Sequence, residues 1–151
     1  MPRRFFAPGG ANSGSIIISH GTEDGRVTFT IGGPYLHILA EGEAQGESLV
    51  RCVREALDAG LIHKNTRSLI DLTLFTGSID WKALGAIRDM VPWGEGRETR
   101  VAYLVRNSRF AAIVRVVEVL FGGMRHRTFA SREKALAWLV PEDAIEVEAQ
   151  G

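Results

Sequence analysis

The sequence predicts an α/β domain built on a mixed, mainly parallel β-sheet, with about four helices and an N-terminal β-hairpin. Three observations carry this. Residues after about 47 alternate helical and strand-like apolar patterns, the mark of β-α-β units. Residues 16–31 show period-two alternation around a Glu-Asp-Gly turn, the mark of a hairpin. The 151 residues, 45% of them hydrophobic and 24% charged, suit one globular core.

Met1 to Gly14 carries Pro2, Pro8, Gly9, Gly10 and Gly14 without apolar periodicity, so residues 1–14 read as a flexible leader. The domain itself is expected over residues 15–141. Ile16-Ile17-Ile18 is a β-branched run, Glu23-Asp24-Gly25 supplies the turn, and Val27, Phe29 and Ile31 then alternate with polar neighbours. Tyr35 to Ala40 is apolar on both faces apart from His37, as a strand near the middle of a sheet should be. Leu49, Cys52, Val53, Ala56 and Leu57 form a single helical face within Glu47 to Ala59, and Gly60 stops that helix. Arg67 to Thr73 reads as a buried strand. Thr76-Gly77-Ser78 turns the chain into a helix from about Asp80 to Met90, with Trp81, Leu84, Ile87 and Val91 expected on its inner side and Pro92 and Gly94 ending it. Val101 to Val105 and Met124 to Phe129 are further strands. Arg132 to Val140 is a closing helix, capped by Ser131 and stopped by Pro141. Residues 142–151 form an acidic tail.

Ser108 to Phe121 differs from the other helical segments. Phe110, Ile113, Val114, Val117, Leu120 and Phe121 make one apolar stripe, and Ala112, Val116 and Val119 make a second on another side. A surface helix needs one stripe, so the second is expected to meet a partner subunit, a ligand or another part of the domain. A fully buried helix, or a strand in view of the valines, is the alternative.

Lys plus Arg and Asp plus Glu are both 18, so no overall field gathers nucleic acid or anionic membrane around the molecule. Locally the balance differs: residues 81–140 hold 11 basic and 5 acidic residues, while the last eleven hold 4 acids and no base. That is read as a solvated surface, with an anion-facing patch as the alternative. Cys52 is the only cysteine, which excludes an intrachain disulfide and fits a reducing compartment. Arg3-Arg4 opens like a twin-arginine signal, but Ala7 to Ser15 is small and polar where an apolar segment should follow. Apolar runs fall short of the ~18 residues a membrane span requires. A cytoplasmic protein is expected, with no nucleic-acid partner and no membrane span.

Signatures of chemistry are sparse. Dinucleotide and P-loop glycine patterns are absent, as is Gly-x-Ser-x-Gly. The histidines at 20, 37, 63 and 126 have no paired short spacing. No cofactor, metal site or catalytic residue is therefore expected. Cys52 lies within an apolar face and reads as a small hydrophobe. Asp71, near the end of its strand, reads as a cap for the following loop, with a general base as the alternative. Thr76, Gly77, Ser78 and Asp80 sit where a parallel strand passes into a helix, the position at which open α/β sheets bind ligands. Free amide N–H groups there favour an anion or a phosphate on Ser78, unless Ser78 or Asp80 simply caps the helix. Trp93, beside Pro92 and Gly94, reads either as an exposed anchor or as a ring folded back on the sheet edge.

Three stretches together resemble the SpoIIAA-like branch of the STAS family: Leu69-Ile70-Asp71-Leu72 followed by Gly77 and a helix; Arg100 to Val105; and Arg127 to Leu139, with its Phe129-x5-Ala135-x-x-Trp138-Leu139 run. The likeness spans residues 26–140 in layout. It implies a mixed-sheet, four-helix, non-enzymatic domain that binds proteins, nucleotides or apolar ligands, distantly similar to the Sec14 lipid-carrier fold. In the family's anti-sigma antagonists a serine in the loop before the second helix is phosphorylated. Ser78 is the nearest match, but the acidic-Ser-Ser-Gly signature is missing. The expectation is a non-catalytic binding or regulatory module acting through Trp93, Ala112, Val116, Val119 and the Thr76 to Asp80 loop. Its expected partner is a protein or a small apolar ligand, and the chain is expected to be a homo-oligomer, first a dimer. A carrier of a lipid-like molecule is the second expectation, and a hydrolase using Asp71, Ser78 and a histidine the third.

Overall fold

Among the described residues seven strands lie side by side in chain order: β1 (Arg3–Phe6), β2 (Ile16–Gly21), β3 (Gly25–Ile31), β4 (Leu36–Gly42), β5 (Ser68–Phe75), β6 (Arg100–Leu104) and β7 (Arg125–Phe129). The computed structural model of the chain describes residues 3–6, 14–95 and 99–141. β1 through β4 pair antiparallel, and β4 through β7 pair parallel. Each parallel step is made by a helix, because parallel neighbours need a crossover. These are α1 (Gly46–Asp58), α2 (Trp81–Arg88) and α3 (Ser108–Leu120), and α4 (Arg132–Leu139) closes the domain.

One element departs from the sequence reading. Residues 3–6 lie in the expected leader but form β1, paired with β2 from Arg3 opposite Ser19 to Phe6 opposite Ile16. Four residues are too few to show a period, so only the sheet edge reveals them as a strand. The acidic tail expected over 142–151 lies outside the described residues.

The hairpin forms as its pattern requires. Ile18 and Phe29, both fully buried, stand opposite each other and carry the inner face of β2 and β3. α1 covers that face with Cys52, Val53 and Ala56. It ends in a Schellman motif, with Leu61 N–H donating to Ala56 O at 2.9 Å and Gly60 N–H to Leu57 O at 3.0 Å. Gly60 stands at φ +71°, a conformation that suits glycine.

Helices occupy both faces. α1, α2 and α3 share one layer, whose core includes Phe29, Ile38, Cys52, Ile87 and Phe110. Among the described residues α4 alone covers β5, β6 and β7 from the other side, packing Ala135 and Leu139 on Leu69, Ala102 and Leu104. Its C-terminal carbonyls, left without intrahelical donors, are met by two arginines from the starts of β5 and β6. Arg67 Nη1 donates to Leu139 O at 3.0 Å and Arg100 Nη1 to Trp138 O at 2.6 Å. Part of the basic excess over 81–140 is therefore structural, positive charge at a helix C-terminus.

α2 stands off the sheet. Its Cα atoms come within 8 Å of α1 and α3 but of no strand. Side chains, and not strand backbone, face it from beneath.

Candidate functional site

The parallel strands β4, β5 and β6 end on the same side of the sheet, and the loops leaving them meet there. The first carries Glu43, the second runs from Thr76 to Asp80, and the third leads into α3. Together they bound a cleft of about 680 Å³ lined by Glu43, Thr76, Gly77, Ser78, Ile79, Trp81, Phe110 and Ile113. This is the crevice outside the carboxyl ends of the strands where α/β sheets bind ligands. Close backbone approach holds it: Thr76 N–H donates to Gly42 O at 2.9 Å, and Glu43 N–H to Asp24 O at 2.9 Å. A Cβ on Gly77 would stand 3.0 Å from Phe75 Cε1 and 3.2 Å from Glu43 Cα, so glycine lets the two loops touch.

The residues singled out from the sequence fall in distinct places. Ser78 is exposed on the cleft, with Thr76 and Gly77 beside it. Asp80 is the N-cap of α2, its Oδ1 accepting from Ala83 N–H at 3.0 Å, which is the cap alternative for this loop. Glu43 gives the cleft a negative wall, and none of the described lining residues is basic. Trp81 is the surprise. Helical spacing assigns it to the inner face of α2, but it is 42% exposed on the cleft, while Ala83 and Ile87 are the buried residues. With α2 held off the sheet, its inward direction is set by α1 rather than by the strands.

Trp93 corrects the exposed-anchor reading. Its ring turns inward, packs on the main core, and donates from Nε1 to Ile87 O at 2.6 Å, closing the C-terminal end of α2. Ala112, Val116 and Val119 are all exposed on α3, Val116 at 50% and Val119 at 82%. Residues 108–120 are a helix, and its second stripe is bare.

Asp71 Oδ1 accepts from Thr73 N–H at 2.9 Å and from Thr73 Oγ1 at 2.6 Å. That local turn coincides with a bulge, since Leu39 pairs with Asp71 but Glu41 pairs with Leu74. The Asp71 carboxylate thus braces a bulge inside β5, which runs on to Phe75, and does not cap the loop after the strand as the sequence suggested. Cys52 is fully buried, and burial pushes its thiol up to about 12.

Beneath α2 lies a separate cavity of about 120 Å³, lined mainly by apolar side chains including Phe29, Ile38, Ile70, Trp93 and Val117. A neighbouring cavity of about 110 Å³ shares Ile38, Leu49, Ile70 and Leu84 with it. The polar residues lining the larger one include Thr66, Ser68 and the pair Tyr103 and His126. Phe121 O, 3.0 Å from His126 Nε2, can only accept, so Nε2 carries the proton and Nδ1 accepts from Tyr103 Oη at 2.9 Å. Burial holds the His126 pKa below its ordinary value and pushes the Tyr103 phenol up. Neither the inward Trp93 nor this pair is legible in sequence, because each depends on residues brought together by separate elements.

No family model matches the chain, and no curated protein matches it. Among solved structures it is similar to an uncharacterised protein of the DUF3478 family, with a SpoIIAA-like fold, from Shewanella loihica PV-4. The two share 22% identity over 88% of this chain and 99% of that one, with a TM-score of 0.53. The chain therefore has a SpoIIAA-like fold, as the resemblance of its sequence implied. That neighbour is uncharacterised, so the likeness defines the fold and leaves function to the site. No helix among the described residues is long and apolar enough to cross a membrane.

Proposed function

We propose that the chain is a non-catalytic STAS-like binding or regulatory module, and that its recognition surface is the cleft between the Thr76 to Trp81 loop and α3. The observation that carries this is convergence: the two segments singled out separately in the sequence wall the same crevice, with Phe110 and Ile113 of α3 facing Ser78, Ile79 and Trp81. An apolar floor, an exposed aromatic ring and a few polar groups at the rim are the usual composition of a recognition site. Support for a non-catalytic role comes from the candidate nucleophiles and bases. Cys52 is buried with a raised pKa, Asp71 is engaged by Thr73, and His126 has both ring nitrogens occupied. The buried single thiol suits a reducing cytoplasm. The outer stripe of α3 is assigned to self-association.

The test compares partners captured from native lysate by the wild-type chain and by Trp81→Ala and Ile113→Glu, both at cleft positions, with Thr28→Ala on β3 as control. The reading expects partners lost with the first two and kept with the third. Equal capture by all four would overturn it.

A second reading, a carrier of a small apolar ligand, is favoured by the standoff of α2 and the cavity beneath it. A dry apolar cavity of ~150 Å³ admits a benzene-sized molecule, so the space suits a compact ligand better than a long acyl chain. Native mass spectrometry should then show extra mass that organic extraction removes.

A further inference from the structure

The cavity beneath α2 holds one polar group without an evident structural use. Ser68 opens β5 on the face toward α2, in register with Leu36 on β4 and Val101 on β6, and all three line the cavity. An inner position between two aliphatic side chains in a parallel sheet calls for a third. Serine stands there instead, only 8% exposed, and its hydroxyl makes no hydrogen bond with any described residue. The other described lining residues with N–H or O–H groups already have partners. Thr66 Oγ1 accepts from His63 N–H at 2.8 Å, Trp93 donates to Ile87 O, and Tyr103 donates to His126, which donates to Phe121 O.

We infer that the Ser68 hydroxyl is the polar anchor of a binding site in this cavity for a neutral, ring-sized molecule carrying a single hydroxyl or carbonyl group. This rests on the carrier reading of the cavity and names the ligand class that reading leaves open. A buried hydroxyl without a partner destabilises the fold, and a ligand that bonds to it recovers the loss. No carboxylate, ammonium or guanidinium group is among the described lining residues, so an ion would enter unpaired and at high cost.

Volume sets the size. The cavity of about 120 Å³ is close to the ~150 Å³ that holds benzene. The adjoining space of about 110 Å³, which shares Ile38, Leu49, Ile70 and Leu84 with it, leaves room for a short substituent. Water is the weaker occupant. A buried water makes about three hydrogen bonds, and Ser68 offers the one uncommitted side chain in a wall that is otherwise apolar or already paired.

Phenol and toluene, which exchange a hydroxyl for a methyl at nearly constant size, test the anchor on the full chain. Amide shifts of residues 68–70 and 84–87 would be followed by NMR titration in wild type, Ser68→Ala and Ser68→Val. Wild type should bind both probes. The phenol-to-toluene affinity ratio should fall about tenfold in Ser68→Ala, which removes the hydroxyl and keeps the space. Ser68→Val fills the space and should lose most of its toluene affinity. Its urea midpoint should stay at or above that of wild type, because it removes an unpaired hydroxyl and suits a strand, and this separates lost binding from lost folding. Should neither probe move those shifts in wild type, the carrier reading and the anchor fail together. A ratio unchanged in Ser68→Ala, or toluene binding untouched by Ser68→Val, overturns the anchor alone.

Discussion

Replacing Arg100 by methionine keeps an apolar stem and removes the guanidinium, and the structure sets what that should cost. Arg100 Nη1 donates to Trp138 O at 2.6 Å, at the C-terminal end of α4. The same guanidinium lies 5.5 Å from the Trp138 ring centroid, and that ring stands 5.7 Å from Phe129. A charge-assisted hydrogen bond contributes about 1.5–3 kcal/mol and a partly exposed cation–π contact about 0.5–1, so a loss of about 2–4 kcal/mol is expected. That is a large share of the about 5–15 kcal/mol that stabilises a typical domain. α4 has only eight residues and covers one face of three strands, so little else can compensate. Urea unfolding followed by tryptophan fluorescence should show the midpoint falling by about 1–2 M, with Lys134→Met, exposed on α4, close to wild type. Arg100→Met within about 0.5 kcal/mol of wild type would refute the view that these arginines are structural caps rather than a solvated anion-facing patch.

Acid should destabilise the fold through two histidines. Burial, then the Arg132 charge, lowers the His37 pKa against a smaller opposing pull from Asp71, and burial lowers that of His126. The unfolded chain therefore takes up protons that the folded chain refuses, and the urea midpoint should hold above pH 6.5 and drop as pH falls below it; a midpoint flat from pH 7 to 5 would contradict this. Gly85 lies within α2, and a Cβ there would meet nothing within 4 Å, so Gly85→Ala should stabilise by about 0.5–1 kcal/mol in thermal unfolding. The Cys52 thiol should resist a disulfide reagent in the native state and react at once in urea, and rapid native labelling would show that α1 does not seal it.

Periodicity made most elements legible because each presents one face to the core. α1 shows its stripe of Cys52, Val53 and Ala56, the hairpin shows Ile18 and Phe29, and Ser131 caps α4 by accepting from Lys134 N–H at 3.3 Å. The second stripe of α3 was legible for the same reason, since the helical period separates it from the first. What periodicity misses is anything decided between elements. Trp81 faces the cleft because α2 packs on α1 and not on the sheet. Trp93 faces inward, its indole N–H adding a second donor to Ile87 O, which already accepts from Met90 N–H at the end of α2. Arg67 and Arg100 read as surface charge because the carbonyls they meet lie 72 and 38 residues further along. For the candidate site, the Thr76 to Asp80 loop was legible from its place between strand and helix. Glu43 was not, since only the fold brings the end of β4 beside that loop.

Hydrogen exchange tests the recognition surface most directly. Peptides covering residues 76–81 and 108–121 would be followed in the chain alone and in complex with a partner whose capture depends on Trp81. The account predicts that both peptides slow together on binding while β2 and β3 stay unchanged. Protection confined to the outer face of β2 to β4, with the cleft peptides unaffected, would contradict it.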